Sequence, residues 1–205
     1  MKIFIGYDPR QPVAFQVLAH SIWNRASKPV EIIRLQLNQL PITRKGLTEF
    51  TYSRFLVPHL CDYRGIAVFM DADMLCLGDV HELAHEPLCA VSVVKNPIRF
   101  EWPSMMVFHN SMCRTLTPEY VEKENCFDLT WAQNVGSIGS EWNHLVGYDT
   151  PRDDAKLVHF TKGIPIWPET QGCEYEKEWH EEMRDTISSV TYGDLMGRSV
   201  HAQVG

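Results

Sequence analysis

No apolar run in the 205-residue sequence approaches the roughly 20 residues that cross a bilayer. Met1-Lys2 leads directly into Ile3-Phe4-Ile5-Gly6, an apolar run too short for a secretory signal. Basic charge is also scarce: 19 Lys and Arg against 26 Asp and Glu leave a net charge of -7. That deficit argues against a nucleic-acid backbone as partner, which needs a basic face. It leaves room for an anionic small ligand whose charge a bound metal balances. The six cysteines form no Cys-x-x-Cys pair, and reduced thiols suit them better than a disulfide framework. No Asn-x-Ser/Thr acceptor occurs, and there is no repeat, low-complexity tract or linker. The expectation is one cytoplasmic domain spanning residues 1–205, with no integral membrane segment. Its length suffices to bury about 70% of the unfolded surface.

The pattern along the chain is α/β. Residues 2–6 read as a strand, Pro12 to Arg25 as a helix, and Pro29 to Leu35 as a second strand. A strand–helix–strand opening marks a mostly parallel sheet flanked by helices. A helix is expected over 51–60, and further strands over 66–70, 89–94, 105–109 and 156–160. A polar terminal helix follows over 174–188. Residues 118–145 carry no clear period.

The most informative stretch is Gly65 to Leu75. Ile66 to Met70 reads as a strand buried on both faces, running directly into Asp71-Ala72-Asp73. In extended backbone, residues i and i+2 share a face, so both carboxylates converge and Ala72 leaves room between them. Convergent carboxylates at a strand's carboxyl end suit a hard divalent cation, in the place where open α/β sheets bind ligands. A bare Asp-x-Asp equally serves to cap the turn leaving a strand.

Three segments together resemble glycosyltransferase family 8, a group of retaining transferases that use sugar nucleotides. They are Tyr52-Ser53-Arg54-Phe55, Phe69 through Leu83 around the Asp-x-Asp, and His159-Phe160-Thr161-Lys162-Gly163. The resemblance implies a GT-A type fold, a UDP-sugar donor and Mn²⁺, with Mg²⁺ as the alternative ion. By the same resemblance Asp71, Asp73 and His159 hold the metal, and Arg54 and Lys162 meet the diphosphate. Gly6, Tyr7 and Asp8 face the nucleobase and ribose. Ala72, Ser104 and Gly163 line the donor, and Gln133 lies near the sugar. Read without the family, His159 is a packed histidine and Arg54 a solvated helix arginine.

The sequence departs from the family pattern at several places. Pro103-Ser104-Met105-Met106 replaces Asn-Ser-Gly, and His159-x-x-x-Gly163 replaces a shorter spacing. The aspartate expected beside Gln133 is Ala132, which leaves Asp128 as the carboxylate to fill that role or the protein to manage without it. Loss of that group also fits a protein that binds a sugar nucleotide without transferring it. Neither the sugar nor the acceptor, whether glycan, lipid or protein, is readable. His81-Glu82-Leu83-Ala84-His85 offers a competing reading as a zinc protease motif, without a convincing third ligand.

Overall fold

Lys2–Gly6 forms β1, buried from Ile3 onward. Pro12 opens α1, Pro12–Arg25, where its missing N–H is no loss because first-turn amides have no partner within a helix. β2, Glu31–Leu35, lies parallel to β1 and completes the expected opening. The computed structural model describes residues 1–84 and 89–188.

The helix expected over 51–60 is shorter and comes in two parts. A 3₁₀ turn, Ser53–Leu56, runs into a single α-helical turn, α2, Val57–Leu60. Pro58 is the reason: lacking an N–H, it cannot bond back to the Arg54 carbonyl, so the ladder breaks there. Ile66–Met70 then forms β3 as expected, and β4, Met74–Cys76, leaves it after the two-carboxylate corner. Next come β5, Val91–Val94, a 3₁₀ turn over Arg99–Ser104, and β6, Met105–His109. The stretch without clear periodicity resolves into α3, Pro118–Lys123, β7, Val135–Ile138, and the two-residue β8, His144–Leu145. β9, Leu157–His159, and α4, Glu176–Ser188, end the described chain.

The main sheet has six strands in the order β2-β1-β3-β6-β5-β7. β1 pairs in parallel with β2 and β3, and β5 in parallel with β7, while β6 runs antiparallel to both its neighbours. All strands but β6 therefore share one direction. A second sheet, β4-β9-β8, stands at the carboxyl end of β3. Its register sets Met74 opposite His159, and this pairing governs everything that follows.

Phe4, Phe55, Phe69, Phe108, Phe160 and Trp179 are all at least 98% buried in one continuous core. Each such ring contributes roughly 1.5–3 kcal/mol from the apolar area it removes from water. Trp179 brings α4 into this core, and Glu182 follows it beneath the surface of α1. That buried carboxylate takes Arg25 Nη1 at 2.7 Å and Asn24 Nδ2 at 3.1 Å, and lies 2.6 Å from His20 Nδ1.

Candidate active site

Asp71 sits where β3 ends, its amide donating to the Ser104 carbonyl at 2.9 Å. Arg54, held on the 3₁₀ turn before α2, reaches it from the side. Nη1 donates to Asp71 Oδ2 at 3.3 Å and to the Pro103 carbonyl at 3.0 Å, and Nη2 stands 3.0 Å from Oδ1. Asp73 meets His159, whose Nε2 is 3.5 Å from Asp73 Oδ1. The β4–β9 register makes this meeting, reinforced by the Phe160 amide donating to the Asp73 carbonyl at 2.9 Å.

The orientation of His159 follows from its neighbour Asn143. Asn143 Nδ2 donates to Ser104 Oγ at 2.9 Å, and Ser104 Oγ in turn donates to the Glu101 carbonyl at 2.6 Å. That chain fixes the amide so that its Oδ1, an acceptor only, faces His159 Nδ1 at 3.2 Å. Nδ1 therefore carries a proton, and Nε2 is the nitrogen turned toward the carboxylates. A histidine held this way by its other ring nitrogen is the usual arrangement of a metal ligand.

The electrostatics separate the two aspartates. Burial drives Asp71 up to about 7 against the opposing pull of Arg54, with Asp73 adding repulsion. The Arg54 pair thus offsets only part of the desolvation. Asp73 is buried too, but the charge and hydrogen bond of His159 outweigh that and hold it below the ordinary carboxylate range. His159 mirrors this: burial favours the neutral ring, and Asp73 overrides it upward.

Asp71 Oδ1 and Asp73 Oδ1 are buried, with the ion-pair contacts to Arg54 and His159 as their partners among the described residues. Ligand atoms of Asp71, Asp73 and His159 all lie within 4.8 Å of one another. Two buried carboxylate oxygens and one imidazole nitrogen make a donor set that fits a divalent cation. They open onto a cleft of about 150 Å³ lined also by Leu47, Thr48, Phe50, Phe100, Glu101 and Thr161. A larger cavity, about 500 Å³, lies beside β5 and β7. Among the described residues it gathers no comparable set of ligands, so size does not mark the site here.

The other expected site residues scatter. Gly6 lies under the cleft wall: a Cβ there would stand 2.3 Å from the Phe50 ring, so only glycine admits that packing. Tyr7 carries the Arg34 guanidinium 4.6 Å above its ring, and Asp8 accepts from Arg10 Nε at 2.9 Å, a bond that holds its carboxyl below the ordinary range. Ala72 and Ser104 are buried beside the aspartates. Lys162 does not line the cleft; its Nζ lies 5.1 Å from the Tyr148 ring, and Thr161 faces the cleft instead. Gly163 turns the chain there with φ +106°.

Gln133 is exposed and does not line the cleft either. Asp128 spends Oδ1 on the amide and hydroxyl of Thr130, at 3.1 and 2.9 Å. Leu129, at φ +59°, reverses the chain and buries Trp131 against Phe108, which leaves Phe127 as the side chain that enters the cleft. The reading from sequence overlooked Glu101, Phe100 and Phe127, which carry no motif.

The zinc motif does not assemble among the described residues. Val80–Leu83 is a 3₁₀ turn, Glu82 pairs with Lys156, and His81 Nε2 lies 3.0 Å from the Lys28 carbonyl. His85 lies outside the described residues.

No model of a known protein family matches the chain. Protein CDI of Arabidopsis thaliana is 34% identical to it, over 90% of this chain and 86% of that protein. The chain belongs to the CDI family. Solved structures extend the likeness of this CDI-family chain to its fold. The bifunctional glycosyltransferase WbbM superposes with a TM-score of 0.69 at 15% identity, covering 95% of this chain and 50% of that one. The chain thus spans about half the length of WbbM. Galactosyltransferase LgtC, solved in complex with donor and acceptor sugar analogs, gives 0.60 at 11% identity over 90% of this chain and 96% of its own. GlyE of Streptococcus pneumoniae gives 0.62 at 12% identity over 92% of this chain and 62% of that one. At such identities the likeness is one of fold, and the fold is GT-A. No described helix is long and apolar enough to cross a membrane.

Proposed function

We propose that this chain is a metal-dependent, retaining glycosyltransferase of the family 8 type. In this reading it moves a hexose from a UDP-sugar to an acceptor still to be identified, as one cytoplasmic domain over residues 1–205. The observation that carries the proposal is the meeting of Asp71, Asp73 and His159 at the carboxyl end of β3, with Arg54 beside them. A divalent ion held there supplies the positive charge that a departing diphosphate needs. Arg54 adds a fixed guanidinium fork to the same wall of the cleft, suited to phosphate oxygens. Tyr7 and Asp8 at the exit of β1 are assigned to the nucleobase, for which Asp8 exchanges Arg10. In this reading Gly6, Ala72 and Ser104 are the small residues packed behind the donor site, and Lys162, Gly163 and Gln133 require the donor to draw them inward.

The decisive experiment is thermal stabilisation by UDP, with and without Mn²⁺, on the native chain and on Asp71→Ala and Asp73→Asn. UDP at 100 times its Kd should stabilise the native chain by about 2.7 kcal/mol. A shift that needs Mn²⁺ and is absent in both variants supports the proposal; an equal shift in all three overturns it. A second reading, binding without transfer, is favoured by Ala132 and by the engagement of Asp128 with Thr130. UDP-sugar binding with no UDP release over a broad acceptor panel would select it.

A further inference from the structure

We propose that Glu101, on the turn before β6, supplies the carboxylate that faces the donor sugar, the group missing at Ala132. The inference rests on the cleft being a donor site.

Glu101 is held firmly through its main chain. Its amide donates to the Ile98 carbonyl at 2.9 Å, and its own carbonyl takes Ser104 Oγ at 2.6 Å and Asn143 Nδ2 at 3.4 Å. Its carboxylate, by contrast, takes no hydrogen bond among the described residues. Oε2 stands 3.9 Å from His159 Nδ1, and the side chain is 19% exposed, toward the cleft. Three carboxylates, Asp71, Asp73 and Glu101, thus surround a space that holds only the cations Arg54 and His159. The third of them, Glu101, takes no hydrogen bond among the described residues and has only the 3.9 Å contact with His159, so its carboxylate is available to a ligand in the cleft. Glu101 is not in the set whose ligand atoms lie within 4.8 Å of one another, so it faces past the metal position.

The same cleft has an apolar lining. Phe100, 60% exposed, stacks on Phe127 at 5.5 Å between centroids and 2° between planes, with Leu47 beside them. A carboxylate and an aromatic stack in one cleft suit a pyranose: its hydroxyls donate to the carboxylate while its C–H face lies on the rings. In transfer, the bond from the anomeric carbon to phosphate oxygen breaks with its electron pair on the diphosphate. The acceptor oxygen bonds to the anomeric carbon, and the acceptor's proton passes to the departing phosphate oxygen. Positive charge grows on the sugar ring meanwhile, and a fixed carboxylate beside it stabilises that state.

The test compares Glu101→Gln, Glu101→Ala and the native chain. It measures Mn²⁺ binding by calorimetry, stabilisation by UDP, UDP-glucose and UDP-galactose with Mn²⁺, and release of UDP. Mn²⁺ and UDP should bind both variants as they bind the native chain. Glu101→Gln should release UDP about 100-fold more slowly with little change in KM, and Glu101→Ala should also lose the extra stabilisation that the sugar adds to UDP. Turnover of Glu101→Gln equal to native overturns the proposal, as does a tenfold loss of Mn²⁺ affinity, which would make Glu101 a metal ligand. If the native chain releases no UDP, the sugar's added stabilisation decides alone: its loss in Glu101→Ala upholds the proposal and its persistence overturns it. If UDP with Mn²⁺ does not stabilise the native chain, the donor-site reading itself fails, and the proposal with it.

Discussion

His159 Nδ1 and Asn143 Oδ1 stand 3.2 Å apart, and this contact decides which face of the imidazole meets Asp73. The amide is held by Ser104, so the ring has one orientation rather than two. Asn143→Ala should therefore weaken Mn²⁺ binding by about 10- to 100-fold, as loss of a partner that orients a metal-bound histidine does. Calorimetric titration of the folded variant checks this; an unchanged affinity would show that β9 alone fixes the ring.

Arg54 is buried with its guanidinium shared among Asp71, Pro103 and Thr51. Arg54→Ala removes the guanidinium paired with the buried Asp71, and should cost about 3 kcal/mol in the metal-free protein. Urea unfolding monitored by circular dichroism measures that loss. A variant as stable as the native chain would mean that Asp71 is already neutral there.

Glu182→Ala removes the carboxylate that collects His20, Asn24 and Arg25 under α4. Arg25 is 31% exposed, so solvent offsets part of the pairing, and a loss of about 2 kcal/mol is expected. The melting temperature reads this directly, and for a chain of this size it should fall by several degrees.

The cysteines make a pH-dependent prediction. Burial pushes Cys76, Cys113 and Cys126 up to about 12, and all six are free thiols. Only the thiolate reacts with iodoacetamide, so these three should stay unmodified in the native protein at pH 8 and react once it is unfolded. Raising the pH toward 10 should change little while the fold holds. Mass spectrometry after labelling distinguishes the positions.

Where a local pattern fixes an element, the sequence was legible. Ile66–Met70 is a buried strand because five apolar residues meet no competing turn signal, and Pro12 and Ala26 bracket α1. The two carboxylates were legible because a period of two needs only neighbouring residues. The expected 51–60 helix is broken because Pro58 cannot bond back to the Arg54 carbonyl, a break that the apolar spacing of the segment does not show. The cleft's far wall was out of reach for a different reason. Glu101 and Phe127 enter it through the turns at Arg99–Ser104 and Leu129, whose course depends on burying Trp131 and Pro103 in a core that only long-range packing defines. Lys162 is assigned only by the family resemblance, and in the turn after β9 its neighbour Thr161 takes the place on the cleft.

Because Met74 pairs with His159, the order of synthesis matters. A growing chain delivers β3 and its aspartates early, while β9 leaves the ribosome only after all six strands of the main sheet have been made. Until then Asp73 lacks its imidazole neighbour. A fragment ending before Leu157 would keep the whole six-stranded sheet and yet hold only part of the proposed cation site. Assembly of that site thus reports that the late segment has found its place, which makes cation affinity a measure of how completely the chain has matured.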